Sequence, residues 1–426
     1  LVAYDLLAAG SGASRHRRLD QPGARQLAWA LGPHVTGAYC YPDARTDDAR
    51  LVWTIARTAG EMGAVVANHA PVLELLRDTR GRASGAVVSD VETGEPVHVR
   101  ARVVVNASGV WVDEVRRLED PAELAGVRPA KGIHLTFPAS AIRTTAAMLL
   151  PAGDGRYVFV IPWVDSTVIV GTTDDDYTGP LDSPTALPQE VSYLIDTVNS
   201  YVDPPVGQQD VLSAWAGLRP LIQKPGRRLK ELSRRHSVTI GSAGVVTVAG
   251  GKLTTYRTMA AEAVDAAAES AGLGTIRASR TSRIRLSGAG EAVPDERVVA
   301  AAAKLGLDSA HQLRLHRRYG THALDVLDLA EREPELVEPL HPHLPYLLAE
   351  AAYAIEFESA RRPNDVLGHR LRARITSPDG GRAAAAWVSS RLAMTLAWDE
   401  RTRAMHMSGY DRLVASERSV RDVLNP

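Results

Sequence analysis

Cysteine and lysine are the scarce residues of this 426-residue chain. Cys40 is the only cysteine, so an intramolecular disulfide, a cysteine metal cluster and an iron–sulfur site are all excluded. That usage is compatible with a reducing cytosol. Of 49 basic side chains all but five are arginine. A lysine kept inside a glycine motif, as Lys131 and Lys252 are, points to a need for a compact ammonium rather than a planar fork. No stretch approaches the ~18 uninterrupted apolar residues of a membrane-spanning helix, and no signal peptide is visible. A net charge of −1 gives no global attraction to nucleic acid or anionic lipid. The triplet Asp174-Asp175-Asp176 lacks metal-ligand spacing and reads as a turn with one hydrogen-bonding member, so no metal site is expected.

What is present is an ordinary globular composition, 45% hydrophobic and 23% charged, at a length that suits two or three domains. The chain opens at Leu1, without Met, inside the helical pattern Leu1 to Ala9, and a preceding segment is expected. Ser11 to Pro22 reads as a basic loop. Asp47 and Asp48 open a helix that runs through Glu61, acidic at its start as the macrodipole favours. Ala64 to Ala67 and Val72 to Leu76 read as strands. Gly85 to Ser89 and Val97 to Arg100 alternate as an antiparallel pair. Val103 to Val105 reads as a central strand ending in the small-residue turn Asn106-Ala107-Ser108-Gly109, where α/β sheets place ligands. From Arg128 to about Ile240 short strands predict a mostly antiparallel sheet. After a linker from Gly272 to Pro294 the rest is helical by period.

The most informative stretch is Gly250-Gly251-Lys252-Leu253-Thr254-Thr255-Tyr256-Arg257. It lies between the apolar run Val245 to Ala249 and an alanine-rich helical pattern. Strand, double glycine and helix aim free backbone N–H groups at an anion. The spacing is neither a P-loop nor a G-x-G-x-x-G, and read alone it is equally a tight turn with a capped helix. Arg219 follows the strand-like Val211 to Trp215 and a small-residue turn. There it is either a bidentate phosphate ligand or a structural ion pair. His134 begins a strand; a neutral imidazole suits removal of a hydroxyl proton, and a half-buried strand histidine is equally plausible.

These runs, with Tyr41 to Arg50, Asn106 to Trp111, Arg128 to His134, Ile161 to Asp174 and Trp215 to Pro220, resemble in order the FAD-dependent glycerol-3-phosphate dehydrogenases. Gly171-Thr172-Thr173-Asp174, Ala216 to Leu221 and Gly250 to Arg257 carry the resemblance most specifically. The tail from Arg318 to Asp399 is similar to that family's helical domain. The fold implied is α/β: a doubly wound FAD-binding fold of glutathione-reductase and amino-acid-oxidase type. An inserted antiparallel substrate domain and an all-α C-terminal domain complete it. The expected boundaries are 1–127 and 241–272 for the cofactor part, 128–240 for the substrate part, 273–294 for the linker and 295–426 for the helices.

The resemblance implies oxidation of glycerol 3-phosphate to dihydroxyacetone phosphate, with hydride passing to FAD and electrons to a quinone. His134, Arg219 and Lys252 would be catalytic. Arg219, Arg234 and Lys252 would hold the substrate phosphate. Asn106, Ala107, Gly109, Gly250, Gly251, Leu253 and Thr254 would meet the cofactor. It further implies a cytoplasmic protein attached peripherally to the membrane, possibly homodimeric, with no nucleic-acid partner. Arg15-His16-Arg17-Arg18 and Lys224 to Lys230 are the candidate membrane contacts. Members of this family begin with a βαβ unit bearing G-x-G-x-x-G, which these residues lack, so this chain alone is expected to retain little FAD. The rival readings are another FAD amine or hydroxy-acid oxidoreductase of this fold, and a non-catalytic remnant that binds no flavin.

Overall fold

The computed structural model describes residues 1–7, 14–122, 126–223, 235–274, 276–291 and 293–423. In chain order the strands are β1 (Arg17–Asp20), β2 (Gly37–Cys40), β3 (Val72–Arg77), β4 (Ala83–Ser89), β5 (Pro96–Arg100), β6 (Val105–Asn106), β7 (Val127–Pro138), β8 (Met148–Pro151), β9 (Tyr157–Pro162), β10 (Thr167–Gly171), β11 (Asp175–Asp176), β12 (Ser213–Ile222), β13 (His236–Ile240) and β14 (Val246–Gly250). The helices are α1 (Val2–Leu7), α2 (Gln21–Leu27), α3 (Asp48–Glu61), α4 (Val112–Glu119), α5 (Pro188–Asn199), α6 (Tyr256–Ser270), α7 (Glu296–Lys304), α8 (Ser309–Tyr319), α9 (Ala323–Arg332), α10 (Leu348–Phe357), α11 (Ala373–Thr376), α12 (Arg382–Leu396) and α13 (Glu400–Val423).

The substrate sheet runs β11-β7-β10-β9-β8, with β12 on the other side of β7, and every pair in it is antiparallel. Its alternation sets the faces. Ile133, Leu135 and Phe137 of β7 are fully buried and meet Val158, Val160, Val168 and Val170 in the largest core, closed by Val191, Leu194 and Val198 of α5. Residues 132, 134 and 136 therefore point to the opposite face. Lys131 is buried with its Nζ 2.9 Å from Glu190 and donating to the Thr185 carbonyl at 3.0 Å. It ties β7 to α5 and takes no part in an open site.

A second sheet, β13-β14-β6, pairs β14 with β6 in parallel. In that pair Val105 lies opposite Val246 and Asn106 opposite Thr247, so β14 runs on three residues further to Gly250. Of the apolar run from Val103 only Val105–Asn106 joins the sheet. The expected strand Ala64 to Ala67 does not form, and Val65 is 97% exposed. A β-branched run becomes a strand only where backbone partners exist, and no described residue pairs with this one. The basic loop expected from Ser11 to Pro22 is also different. Arg17–Asp20 pairs with β2, and the Asp20 carboxylate accepts the Gly23 N–H at 3.0 Å. Pro22 then sits in the first turn of α2, where a missing N–H costs nothing. Ala24, Ala28, Ala30 and Leu31 share the substrate-sheet core. That segment packs with the substrate sheet rather than with the cofactor-binding part in which the sequence placed it.

The C-terminal helices enclose two cores, one around Tyr346 and Leu367 and one around Leu315, Leu327 and Tyr353. α3 is fastened to them by charge. Arg50 forks the fully buried Glu358, with Nη1 donating to Oε2 at 2.7 Å and Nη2 to Oε1. Arg314 does the same to Glu350, which also accepts from the Tyr319 hydroxyl at 3.1 Å. Arg372 reaches Asp47 at 2.7 Å and also Asp48. Asp47 is the helix cap, accepting the Arg50 N–H at 3.2 Å.

Candidate active site

The register of β7 and β12 builds the site. Trp215 lies opposite His134, Gly217 opposite Gly132 and Arg219 opposite Ala130. Cross-strand partners share a face, so these residues face away from the large core of the sheet, with Ala130 buried there against Leu221. The His134 imidazole stacks on Trp215, with ring centres 4.5 Å apart and planes 15° from parallel. The two glycines leave bare backbone between that stack and Arg219. The Arg219 side chain folds back over the gap: a methyl group on Gly132 would lie 2.5 Å from its Nη1. Gly132 and His134 are two positions apart on β7, a spacing of about 7 Å along the strand.

Arg219 is held by hydroxyl and carbonyl groups. Nη2 donates to Thr172 Oγ1 at 2.8 Å, and Nη1 to the Thr173 carbonyl at 3.1 Å and Asp174 at 3.3 Å. The acidic triplet is more engaged than the single bonded turn residue expected: Asp176 also accepts from Arg128 at 2.5 Å, and Asp175–Asp176 form β11. Among the described residues no group of metal-ligating side chains is arranged to hold an ion. Arg219 stands inside continuous strand β12 rather than after a turn as the sequence suggested. This is why its face, and Trp215 on the same face, were not legible. Reading 213–222 as one strand would have found both by period two.

The environment keeps His134 neutral. Burial, and then the charge of Arg219, lower its pKa from 6.5 to about 4; Asp48 at the start of α3 opposes this more weakly. Its Nδ1 is buried and has no hydrogen-bond partner.

The turns at the ends of β6 and β14 flank this face. Asn106 is consumed locally: its Nδ2 donates to the Val112 carbonyl at 2.9 Å, and its Oδ1 accepts from Ser108 Oγ at 2.6 Å. Its side chain shapes the turn and leaves Ala107 to Gly109 as the accessible backbone. The short 3-10 turn Gly109–Trp111 packs against β7, β12 and β14. Gly250 and Gly251 have φ of +71° and +88°, a left-handed pair that side chains rarely adopt. Gly250 abuts Ile222, the end of the strand that carries Arg219. Leu253 and Thr254 begin a 3-10 turn that runs into α6, and both are exposed. A helix start leaves its first N–H groups without acceptors. Lys252 caps it, exposed, with no hydrogen bond or ion pair among the described residues. Arg234 and Lys224 to Lys230 lie outside the described residues. At the other basic run, His16 Nδ1 is 2.5 Å from Asp5.

These turns fit the flavin end of FAD on chemical grounds. Free N–H groups, a cation and two glycines without side chains stand at the carboxyl ends of two parallel strands, the place where such sheets bind nucleotides.

Residues 2–257 match the model of the FAD-dependent oxidoreductase family, and 279–403 that of the C-terminal domain of alpha-glycerophosphate oxidase. Glycerol-3-phosphate dehydrogenase 2 of Mycobacterium bovis is 36% identical over 99% of this chain and 73% of its own length. The mitochondrial glycerol-3-phosphate dehydrogenase of Bos taurus is 34% identical over 86% of this chain and 51% of its own. The solved structure of glycerol-3-phosphate dehydrogenase from Bacillus halodurans, complexed with FAD, superposes with a TM-score of 0.82. It is 29% identical and covers 94% of this chain and 79% of its own. The Arg219 face and its flanking turns thus belong to a member of the FAD-dependent oxidoreductase family, in its glycerol-3-phosphate dehydrogenase branch.

Proposed function

We propose that this protein oxidises sn-glycerol 3-phosphate at C2 to dihydroxyacetone phosphate. The observation that carries this reading is the spacing on one strand face: a fork for phosphate lying over Gly132 and a neutral imidazole two positions along the strand, about 7 Å away. A three-carbon phosphate ester spans that gap with its phosphate on Arg219 and its C2 hydroxyl toward His134. FAD, held against the turns at Ala107–Gly109 and Gly250–Thr254, supplies the acceptor for the hydride that leaves C2.

The chain's own residues do the rest. Arg219 offers two N–H groups to the phosphate, pre-set by Thr172 and Asp174. Trp215 and the neighbouring strands fix the imidazole plane. His134 accepts the C2 hydroxyl proton as the carbon–oxygen bond becomes a carbonyl, and it enters that step uncharged. Lys252, free to move, completes the charge around the phosphate or steadies negative charge that develops beside it. The sequence supports Arg234 as a second phosphate ligand through its family resemblance alone.

The same reading takes a quinone as the final acceptor and places the protein peripherally on the cytoplasmic membrane, with a homodimer as its candidate assembly. No described helix is long and apolar enough to cross a membrane, so attachment would be through a surface. Co-sedimentation with anionic vesicles tests it. Binding that weakens with salt supports an electrostatic contact, and no binding supports a soluble acceptor.

Oxidation itself is tested by supplying the purified protein with FAD and adding glycerol 3-phosphate without oxygen. Bleaching of the flavin with one equivalent of dihydroxyacetone phosphate is the expected result. Bleaching by an amino acid or a 2-hydroxy acid instead would favour the other oxidoreductases of this fold.

A further inference from the structure

A cation-rich cavity lies along α3, and none of the β7 or β12 residues lines it. Its volume is about 520 Å³, within the usual range for small-molecule sites. The walls are the chain before and along α3, the glycine-containing segment 286–291 and the end of α8. Five arginines face it against two carboxylates, Asp47 and Glu291. Asp47 is already taken by Arg372 and by its own helix start.

The arginines divide into two groups. Arg50 is held by Glu358, and Arg57 by Glu61 and the Tyr353 hydroxyl. The other three have no carboxylate partner among the described residues. Arg45 donates only to the Pro162 carbonyl and lies over the Trp163 ring. Arg317 is exposed and makes no hydrogen bond or ion pair. Arg318 lies over the rings of Tyr319 and Tyr346 and donates to the Arg370 carbonyl, while its Nε is buried with no partner. The indole N–H of Trp53, on the same wall, is also buried without an acceptor. Buried Arg318 feels the charges of Asp47 and Glu350, which leaves Arg45 and Arg317 as exposed cations open to an anion. The guanidinium forks match phosphate oxygens best.

We propose that this cavity is a second anion site, for a small molecule that carries a phosphate or pyrophosphate group, and that it is separate from the Arg219 site. The probe is inorganic pyrophosphate, titrated calorimetrically into the full chain. It is also titrated into the Arg219→Gln variant, which removes the substrate clamp. One saturable site should survive Arg219→Gln. Adding Arg45→Gln and Arg317→Gln, both at exposed positions and with circular dichroism confirming the fold, should weaken that site about tenfold or more. Loss of all binding in Arg219→Gln alone would overturn the proposal, as would affinity that ignores the two cavity substitutions. Because Arg219 is absent in the decisive arm, failure of glycerol 3-phosphate oxidation leaves this result readable.

Discussion

Arginine does opposite work in the substrate sheet and in the seam between α3 and the C-terminal helices. In the seam Arg50 is 14% exposed and its partner Glu358 is wholly buried. The carboxylate takes both arms of the fork, so nothing is left for a ligand. In the sheet Arg219 and Asp174 are 29% and 28% exposed, and Arg219 also donates to a hydroxyl and a carbonyl. Its guanidinium stays part-exposed on the strand face beside Asp174. The difference teaches that neither the residue type nor its burial alone marks a ligand; the partner decides. A buried carboxylate makes an arginine structural, and neutral acceptors leave it available.

The comparison can be broken first at the seam. Glu358→Gln strands Arg50 without its counter-charge and should destabilise the protein by about 3–5 kcal/mol, read as a lower midpoint in urea unfolding. The equivalent loss in the sheet, Asp174→Asn, should leave the midpoint nearly unchanged.

Acid sharpens the contrast next. His134 and His369 are each lowered from 6.5 to about 4, mainly by burial, and then by Arg219 and Arg374 respectively. Below 6.5 the unfolded chain takes up protons that the folded one refuses, so stability falls as pH drops from about 6.5 towards 4. Each histidine should contribute on the order of 2–3 kcal/mol to that fall. His134→Gln should flatten its share of the slope. A slope that stays the same would mean that His134 is not held neutral.

Arg219→Lys should then cost about 1.5–3 kcal/mol of glycerol 3-phosphate affinity with little change in folding, because an ammonium cannot reproduce the fork. Isothermal titration beside thermal unfolding separates the two effects. The smallest effect is expected for Gly132→Ala. Its methyl group displaces the Arg219 fork and should weaken affinity by about 1–2 kcal/mol. Equal affinity would mean that the fork does not lie over Gly132 when substrate is bound.

Much of this fold was legible because local chemistry and period agreed. The strand, double-glycine and helix pattern at Val245 to Met259 needs only left-handed glycines, and Gly250 and Gly251 adopt them. The antiparallel pair at Gly85 to Arg100 is written in alternation and a Glu-Thr-Gly turn. Pairing between distant strands was not legible. That is why Ala64 to Ala67 was read as a strand and Arg17 to Asp20 was not. At the candidate site, His134, Arg219 and Lys252 were named from their motifs. Trp215 and the gap at Gly132 were missed, because both depend on a register between strands about eighty residues apart. The α3 seam was missed for the same reason: Arg50 meets Glu358 across 308 residues of chain.

The central claim is that Arg219 holds the phosphate of the molecule that His134 deprotonates. Anaerobic titration of the FAD-supplied protein with glycerol 3-phosphate, in wild type and in Arg219→Lys, tests it most directly. The account predicts flavin bleaching in both, with the half-saturating concentration raised about tenfold or more in the variant. Bleaching at the same glycerol 3-phosphate concentration in both proteins would contradict it.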